Sequence, residues 1–347
     1  MKNIAVVGYG GQGAWHCAQI AQSDACVLAG TYDIREVRRQ AAEKNGVKVY
    51  DSNEAIFADP EVDAVVIAVP NDAHKALVIE ALESGKNVIC EKPVEMSCAA
   101  LDEMIAAAER TGKFFTVHQN RRWDVDFLAM KQLAQSGEIG RVLNVESRIH
   151  GSRGIPSDWR CEKAHGGGML LDWGVHLIDQ VLQIFTEKIT KVYCTFSHIT
   201  NQEVDDGFKM ELYFADGATA HVEVGTYNFI ALPRFYMQAE KGSAIIDDWR
   251  HPCHVARLTA WNEKDVTPVQ NAAGITKTMA PRDELTLDEY DLEIPASDVH
   301  DFYRNVCAVL DHKAEPLIQL GEVRRVMQVM EAAFLSDEKG QALETNI

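Results

Sequence analysis

The chain has 347 residues, 46% hydrophobic and 25% charged, the values of a soluble globular protein too long for one small core. Its 34 Lys and Arg stand against 52 Asp and Glu, a formal net charge of −18. Such a surface repels nucleic acid and anionic membranes and argues against both as partners, yet it admits a phosphate-bearing ligand held by backbone N–H groups at a helix N-terminus.

Residues 1–120 alternate strand-like and helix-like runs. Strands are expected at 3–7, 27–32, 47–50, 63–69, 87–90 and 113–118, with helices at 13–22, 35–45, 73–84 and 98–110. Strands apolar on both sides and each followed by a helix predict a parallel sheet covered on both faces, an α/β doubly wound fold. After residue 120 the pattern changes. A helix to residue 135 and a strand at 142–150 lead into a Gly/Pro-rich loop at 151–168 and a helix from 170 to 185. Strands then follow one another at 192–197, 207–214, 218–226, 235–240 and 243–247, with Asp216-Gly217 as a hairpin turn. That succession predicts an α+β domain with an antiparallel-rich sheet. Residues 267–293 read as polar and irregular, and two closing helices are expected at 297–310 and 321–335.

Met1-Lys2-Asn3 runs into Ile4-Ala-Val-Val7, too short for a signal-peptide core, and no later run is long enough to span a bilayer. Eight scattered cysteines without a C-x-x-C pair read as free thiols in a reducing compartment. A cytoplasmic protein is expected.

Gly8-Tyr-Gly10-Gly-Gln-Gly13 lies between the first strand and the first helix, and Asp33 ends the second strand. This is the context in which a G-x-G-x-x-G turn cradles a pyrophosphate and an acidic residue binds ribose hydroxyls. It predicts NAD, with NADP still open because Arg35, Arg38 and Arg39 follow. At the carboxyl ends of the next strands stand Asn71, either a ribose contact or a helix N-cap, and Lys92 in Glu91-Lys92-Pro93. An ammonium there can stabilise an alkoxide. His74 and His150 read as structural.

In Gly166-Gly-Gly-Met-Leu-Leu-Asp-Trp-Gly-Val-His176, a carboxylate and an imidazole stand four residues apart. On a regular helix they share a face, so Asp172 is expected to orient His176 as a general base, while the glycines let backbone approach a ligand. No clustered-thiol or H-x-x-x-H spacing accompanies the pair, so no metal is expected.

With Gly8, Gly10 and Gly13, Glu91-Lys92-Pro93 and Gly167-Gly168…Asp172…His176 in hand, the chain resembles the Gfo/Idh/MocA oxidoreductases, the glucose–fructose oxidoreductase and inositol dehydrogenase family, over essentially its whole length. His118-Gln-Asn-Arg-Arg-Trp123 and Asp158-Trp-Arg160 are similar to a subgroup of sugar or inositol dehydrogenases. The resemblance implies a Rossmann domain at 1–120 and a substrate-binding and oligomerisation domain at 121–347 with a large open, mostly antiparallel sheet. It implies Lys92, Asp172 and His176 as the catalytic group, with Glu91, Asn120 and Arg160 near the cofactor or the domain junction. A homodimer or homotetramer through the C-terminal sheet follows from it as well.

The expected reaction is hydride transfer between a secondary hydroxyl of a sugar, inositol or related polyol and NAD(P). His176 would take the proton, Asp172 would fix its tautomer and Lys92 would stabilise the alkoxide. Trp173 would either stack on a sugar face or fill the core; Arg153, Trp159 and Tyr236 are substrate candidates by location. Two alternatives stand beside this reading: an NAD-dependent glycosidase acting by transient oxidation and elimination, and a non-catalytic sugar sensor that binds NAD.

Overall fold

The computed structural model describes residues 1–260, 268–282 and 285–347. Five parallel strands form the first sheet: β1 (Lys2–Val7), β2 (Cys26–Tyr32), β3 (Ala64–Ile67), β4 (Asn87–Cys90) and β5 (Phe115–Val117), in the order β2-β1-β3-β4-β5. Its middle is apolar throughout, and Ala64 to Ile67 are all fully buried. Helices α1 (Gly11–Gln22), α2 (Glu36–Lys44), α3 (Asn53–Ala58), α4 (His74–Glu83) and α5 (Cys98–Thr111) lie between the strands in sequence. The strand expected at 47–50 reduces to a single bridge between Thr31 and Val49. Helix α3 was not foreseen, although Ser52 caps it by accepting the Ala55 N–H at 3.1 Å. The chain leaves β1 for β2 and returns across β1 to β3. That reversal opens a crevice at the carboxyl ends of β1 and β3.

Helix α6 (Val125–Ser136) leads to β6 (Val142–His150), and α7 (Val175–Leu182) follows a π-helical turn at Leu170–Gly174. The second sheet adds β7 (Ile189–Ser197), β8 (Gly207–Phe214), β9 (Thr219–Gly225), β10 (Phe235–Ala239), β11 (Gly242–Ile246) and β12 (His254–Leu258). A small hairpin, β13 (Val269–Asn271) and β14 (Gly274–Thr276), stands apart from it; β15 (Leu287–Asp291) and β16 (Leu343–Glu344) form its edges. The nine strands run β15-β12-β11-β10-β6-β9-β8-β7-β16, antiparallel except for the β6–β9 pair. The stretch at 267–293, expected to be irregular, therefore holds three strands, though its residues 267, 283 and 284 lie outside the described residues. The hairpin strands are almost wholly exposed and carry no apolar alternation, so no sequence signal marks them.

Strand alternation gives the large sheet one buried face, with Val145, Met210, Val222, Phe235 and Met237 at 0% exposure, and one polar face. The closing helices α8 (His300–Leu310) and α9 (Leu320–Lys339) join the two sheets. Helix α9 packs on β7 and also meets β5 and α5, while α8 lies against β2. Arg324 pairs with Asp102 at 2.7 Å, the Cys98 N–H donates to Glu331 at 2.7 Å and Arg304 pairs with Asp24 at 2.9 Å. All eight cysteines are free, seven buried and Cys161 half-buried. Among the described residues no helix is long and apolar enough to cross a membrane.

Candidate active site

A cleft of about 1030 Å³ opens at the crevice and is lined by Gly8, Gly10, Asp33, Lys92, Arg160 and Asp172 among others. The glycines divide the work of the turn. A Cβ on Gly13 would lie 2.1 Å from the Gly8 carbonyl oxygen, so only glycine lets α1 start this close to β1. A Cβ on Gly10 would meet nothing within 4 Å, which leaves the cleft side of the turn open. Gly10 caps α1 without a side-chain hydrogen bond, so the first N–H groups of the helix are available to an anion. Asp33 accepts the Tyr9 N–H at 2.7 Å on Oδ2 and the Arg35 N–H at 2.8 Å on Oδ1, which fixes its carboxylate at the end of β2.

Lys92 and Asp172 meet across the cleft, 80 residues apart in sequence. Lys92 Nζ donates to the Asp172 main-chain carbonyl at 3.0 Å and to Oδ1 at 3.3 Å. Arg160 Nε holds the other oxygen, Oδ2, at 3.0 Å, and its guanidinium stacks over Trp159 at 4.6 Å. Burial pushes the Asp172 carboxyl up, but the Lys92 and Arg160 cations outweigh it and hold the group below the usual carboxylate range.

Asp172 therefore serves Lys92 and Arg160, and the expected Asp172–His176 pair is not formed. Asp172 sits in the π turn, which takes up an extra residue and does not keep the regular i,i+4 stagger. His176 is 4% exposed, and its Nδ1 has no hydrogen-bond partner. Burial, with Lys92 and Arg121 nearby, holds the imidazole well below its ordinary value, so it is neutral. The glycines at 166–168 also differ from expectation: they approach the chain itself. A Cβ on Gly167 would stand 2.3 Å from the Arg160 carbonyl oxygen, and one on Gly168 2.1 Å from Asp205 Oδ1. Asp205 Oδ2 in turn accepts the Leu170 N–H at 2.8 Å, bracing the start of the π turn.

Other expected residues divide. Trp159 lines the cleft. Asn71 is not an N-cap: it lines the cleft, and its amide donates to the Gly166 carbonyl at 3.0 Å, tying the β3 end to the glycine run. Trp173 lies edge-on to His176, with the Arg121 guanidinium 4.1 Å above its ring, so one face is taken by a cation. Arg153 is exposed and outside the cleft lining. Tyr236 is outside the cleft lining: Phe235 and Met237 point into the core, and alternation turns Tyr236 to the opposite face of the sheet. Asn120 begins a 3-10 turn at Asn120–Trp123, and its Oδ1 is buried without a partner. Sequence reading missed His16, His118 and Tyr303, which gather around Glu91 behind Lys92. The available signal was a histidine on the buried face of α1, three residues after Gly13 and four before Ile20.

The strand order and the cleft at the carboxyl ends of β1 and β3 are those of a dinucleotide-binding fold. Residues 2–119 match the oxidoreductase family with NAD-binding Rossmann fold, and residues 127–245 match the GFO/IDH/MocA C-terminal domain. The chain belongs to the GFO/IDH/MocA oxidoreductase family, whose Rossmann fold takes a nicotinamide cofactor. It is similar to an NAD-binding protein from Listeria innocua of known crystal structure, 44% identical with a TM-score of 0.95 over 99% of both chains. An uncharacterized oxidoreductase of Schizosaccharomyces pombe is 34% identical over 172 residues, 48% of this chain and 47% of that one. The chain spans about half the length of the first curated relatives it matches. An inositol 2-dehydrogenase of Rhodococcus jostii is 30% identical over 256 residues, 70% of this chain and 67% of that one.

Proposed function

We propose that this protein is an NAD-dependent dehydrogenase that oxidises a secondary hydroxyl of a sugar, inositol or related polyol, and reduces the ketone in reverse. The observation that carries the reading is the Lys92 ammonium, fixed by Asp172 in the cleft that Gly10 leaves open. The residues of the cleft fit a nicotinamide dinucleotide: the uncapped α1 N-terminus would hold the pyrophosphate and Asp33 would hold a ribose. Each Asp33 oxygen keeps acceptor capacity for a ribose hydroxyl, and its charge opposes a 2′-phosphate. Arg39, a candidate phosphate ligand, is turned instead to the carbonyls of Asp33 and Ile34, at 2.7 and 3.0 Å, which favours NAD, while Arg35 and Arg38 line the cleft and keep NADP open.

A bound nicotinamide would supply the hydride acceptor, or in reverse the donor, for the carbinol carbon. The chain's own residues manage the proton and the charge. An ammonium has three donors, and Asp172 occupies two of the Lys92 donors, which leaves the third for the alcohol oxygen. Stabilising the developing alkoxide is the task of Lys92. The neutral His176 accepts the hydroxyl proton. Residues 1–120 serve the cofactor and 121–347 the substrate, and the polar face of the large sheet joins copies into a homodimer or homotetramer. Seven buried free thiols support a reducing, cytoplasmic setting.

Purified protein offered NAD with a panel of inositols, aldoses and sugar acids should build NADH absorbance. Lys92→Ala and His176→Ala should each lower turnover by at least about 10²-fold while NADH still binds. Near-normal turnover in His176→Ala, or aglycone release from a chromogenic glycoside without net NADH, overturns the assignment.

A further inference from the structure

The carboxylate–imidazole pair expected at 172 and 176 exists elsewhere in the molecule, at 91 and 118, with a second imidazole added. Glu91 is 5% exposed, and His16 and His118 are fully buried. A carboxylate only accepts, so Gln12 Nε2 at 3.1 Å, His16 Nε2 at 2.7 Å and His118 Nδ1 at 2.7 Å all donate to Glu91 Oε1. Burial pushes the Glu91 carboxyl up, but the two imidazoles outweigh it and hold the group well below its ordinary range. Burial, against the pull of Glu91, keeps His16 below the usual histidine value and therefore neutral. With its proton on Nε2, His16 has only a lone pair at Nδ1, and the Tyr303 hydroxyl donates to it at 2.7 Å. A zinc ion is the other use of a His-His-Glu set. Two ligands each ~2.0–2.1 Å from one ion at a tetrahedral angle would stand roughly 3.3 Å apart, whereas 2.7 Å is a hydrogen-bond separation.

The second oxygen of Glu91 gives the cluster its direction. Oε2 accepts the main-chain N–H of Lys92 at 3.1 Å, and one residue further on the Pro93 carbonyl lies 3.0 Å from His74 Nδ1. Lys92 is thus held at both ends, its backbone by Glu91 and its ammonium by Asp172. A lysine side chain otherwise explores many rotamers, and a catalytic cation displaced by about 1 Å loses much of its effect. We infer that His118, His16 and Tyr303 are positioning residues of this reaction, acting through Glu91 to fix the main chain from which Lys92 reaches the alcohol oxygen. The inference rests on the reading of Lys92 as the catalytic cation.

The test compares variants of the full chain, using NAD and the polyol oxidised fastest in the panel above. Glu91→Gln and His118→Leu should each lower kcat by about 10²-fold with KM and NADH affinity nearly unchanged. His118→Asn, which places an amide donor where Nδ1 stood, should recover most of that loss. If KM and NADH affinity deteriorate in step with kcat, or Asn does no better than Leu, the positioning role fails. A readout independent of turnover is NMR of the protein labelled with ¹⁵N-histidine and free of cofactor. It should show His16 protonated at Nε2, His118 protonated at Nδ1 and both signals displaced in Glu91→Gln, with only His16 strongly moved in Tyr303→Phe. Other tautomers, or stoichiometric zinc in the purified protein, overturn the inference even if a variant does not fold. The two readings fail separately. Normal turnover in Lys92→Ala removes both, whereas an inactive Lys92→Ala beside a normal His118→Leu removes only this one.

Discussion

Asp172 carries three contacts from two cations, and its carboxylate is where the proposed chemistry is most exposed to a single change. Replacing it with Asn removes the charge and turns either an N–H₂ toward Arg160 or one toward Lys92, each a donor facing a donor. Asp172→Asn should lower kcat by about 10²-fold and leave NADH affinity, followed by fluorescence titration, close to that of the parent. A near-parental kcat would remove Asp172 from the site. That Asp172 and Lys92 belong together was legible only through the family motifs, because no spacing rule connects residues 80 apart. The supposed partnership with His176 came from a rule that holds for a regular α-helix and does not carry across a π turn. His16 and Tyr303, 287 residues apart, lie beyond any rule of spacing.

At the scale of elements, the π turn and α7 are aimed by what precedes them. Gly168 has φ +106°, a region that side chains with a Cβ rarely enter, and it sits against Asp205, whose carboxyl burial raises to about 7. Gly168→Ala combines backbone strain with a clash, so it should destabilise the protein by at least about 2 kcal/mol in urea unfolding. Turnover should fall more than NADH affinity, because the displaced turn carries Asp172 and the glycine-rich turn before α1 is elsewhere. Equal losses of both would show that the turn is not aimed independently. The elements themselves were readable where apolar alternation or caps were strong, as in β1, β8 and α5. Strands β12 and β15 escaped notice because they are short and mostly half-buried without a clear alternation, and their pairing with each other carries no local mark.

For the whole molecule, buried and paired histidines set a pH window. His221 on the polar face of the large sheet is raised to about 9, chiefly by hydrogen bonds to Glu211 and then Glu223. Its contribution is complete below the ordinary histidine value of 6.5 and is lost as pH rises through about 9. His16 and His176, held neutral below 6.5, act in the opposite sense: the stability of their neutral forms is present above 6.5 and lost as pH falls. Melting temperature should therefore be highest near pH 6.5 and fall toward pH 9, and His221→Gln should flatten that alkaline decline, by at most roughly 3 kcal/mol in stability. An unchanged alkaline limb would rule out the His221 pairs as its cause. Tyr303 on α8 supplies a hydrogen bond to His16 on α1, and α9 covers β5 and α5, so the nucleotide half is completed by helices that follow β15 in the chain. A nascent chain can emerge with all five strands of its first sheet and still lack the pieces that close it. The order of synthesis is thus not the order in which the halves can mature.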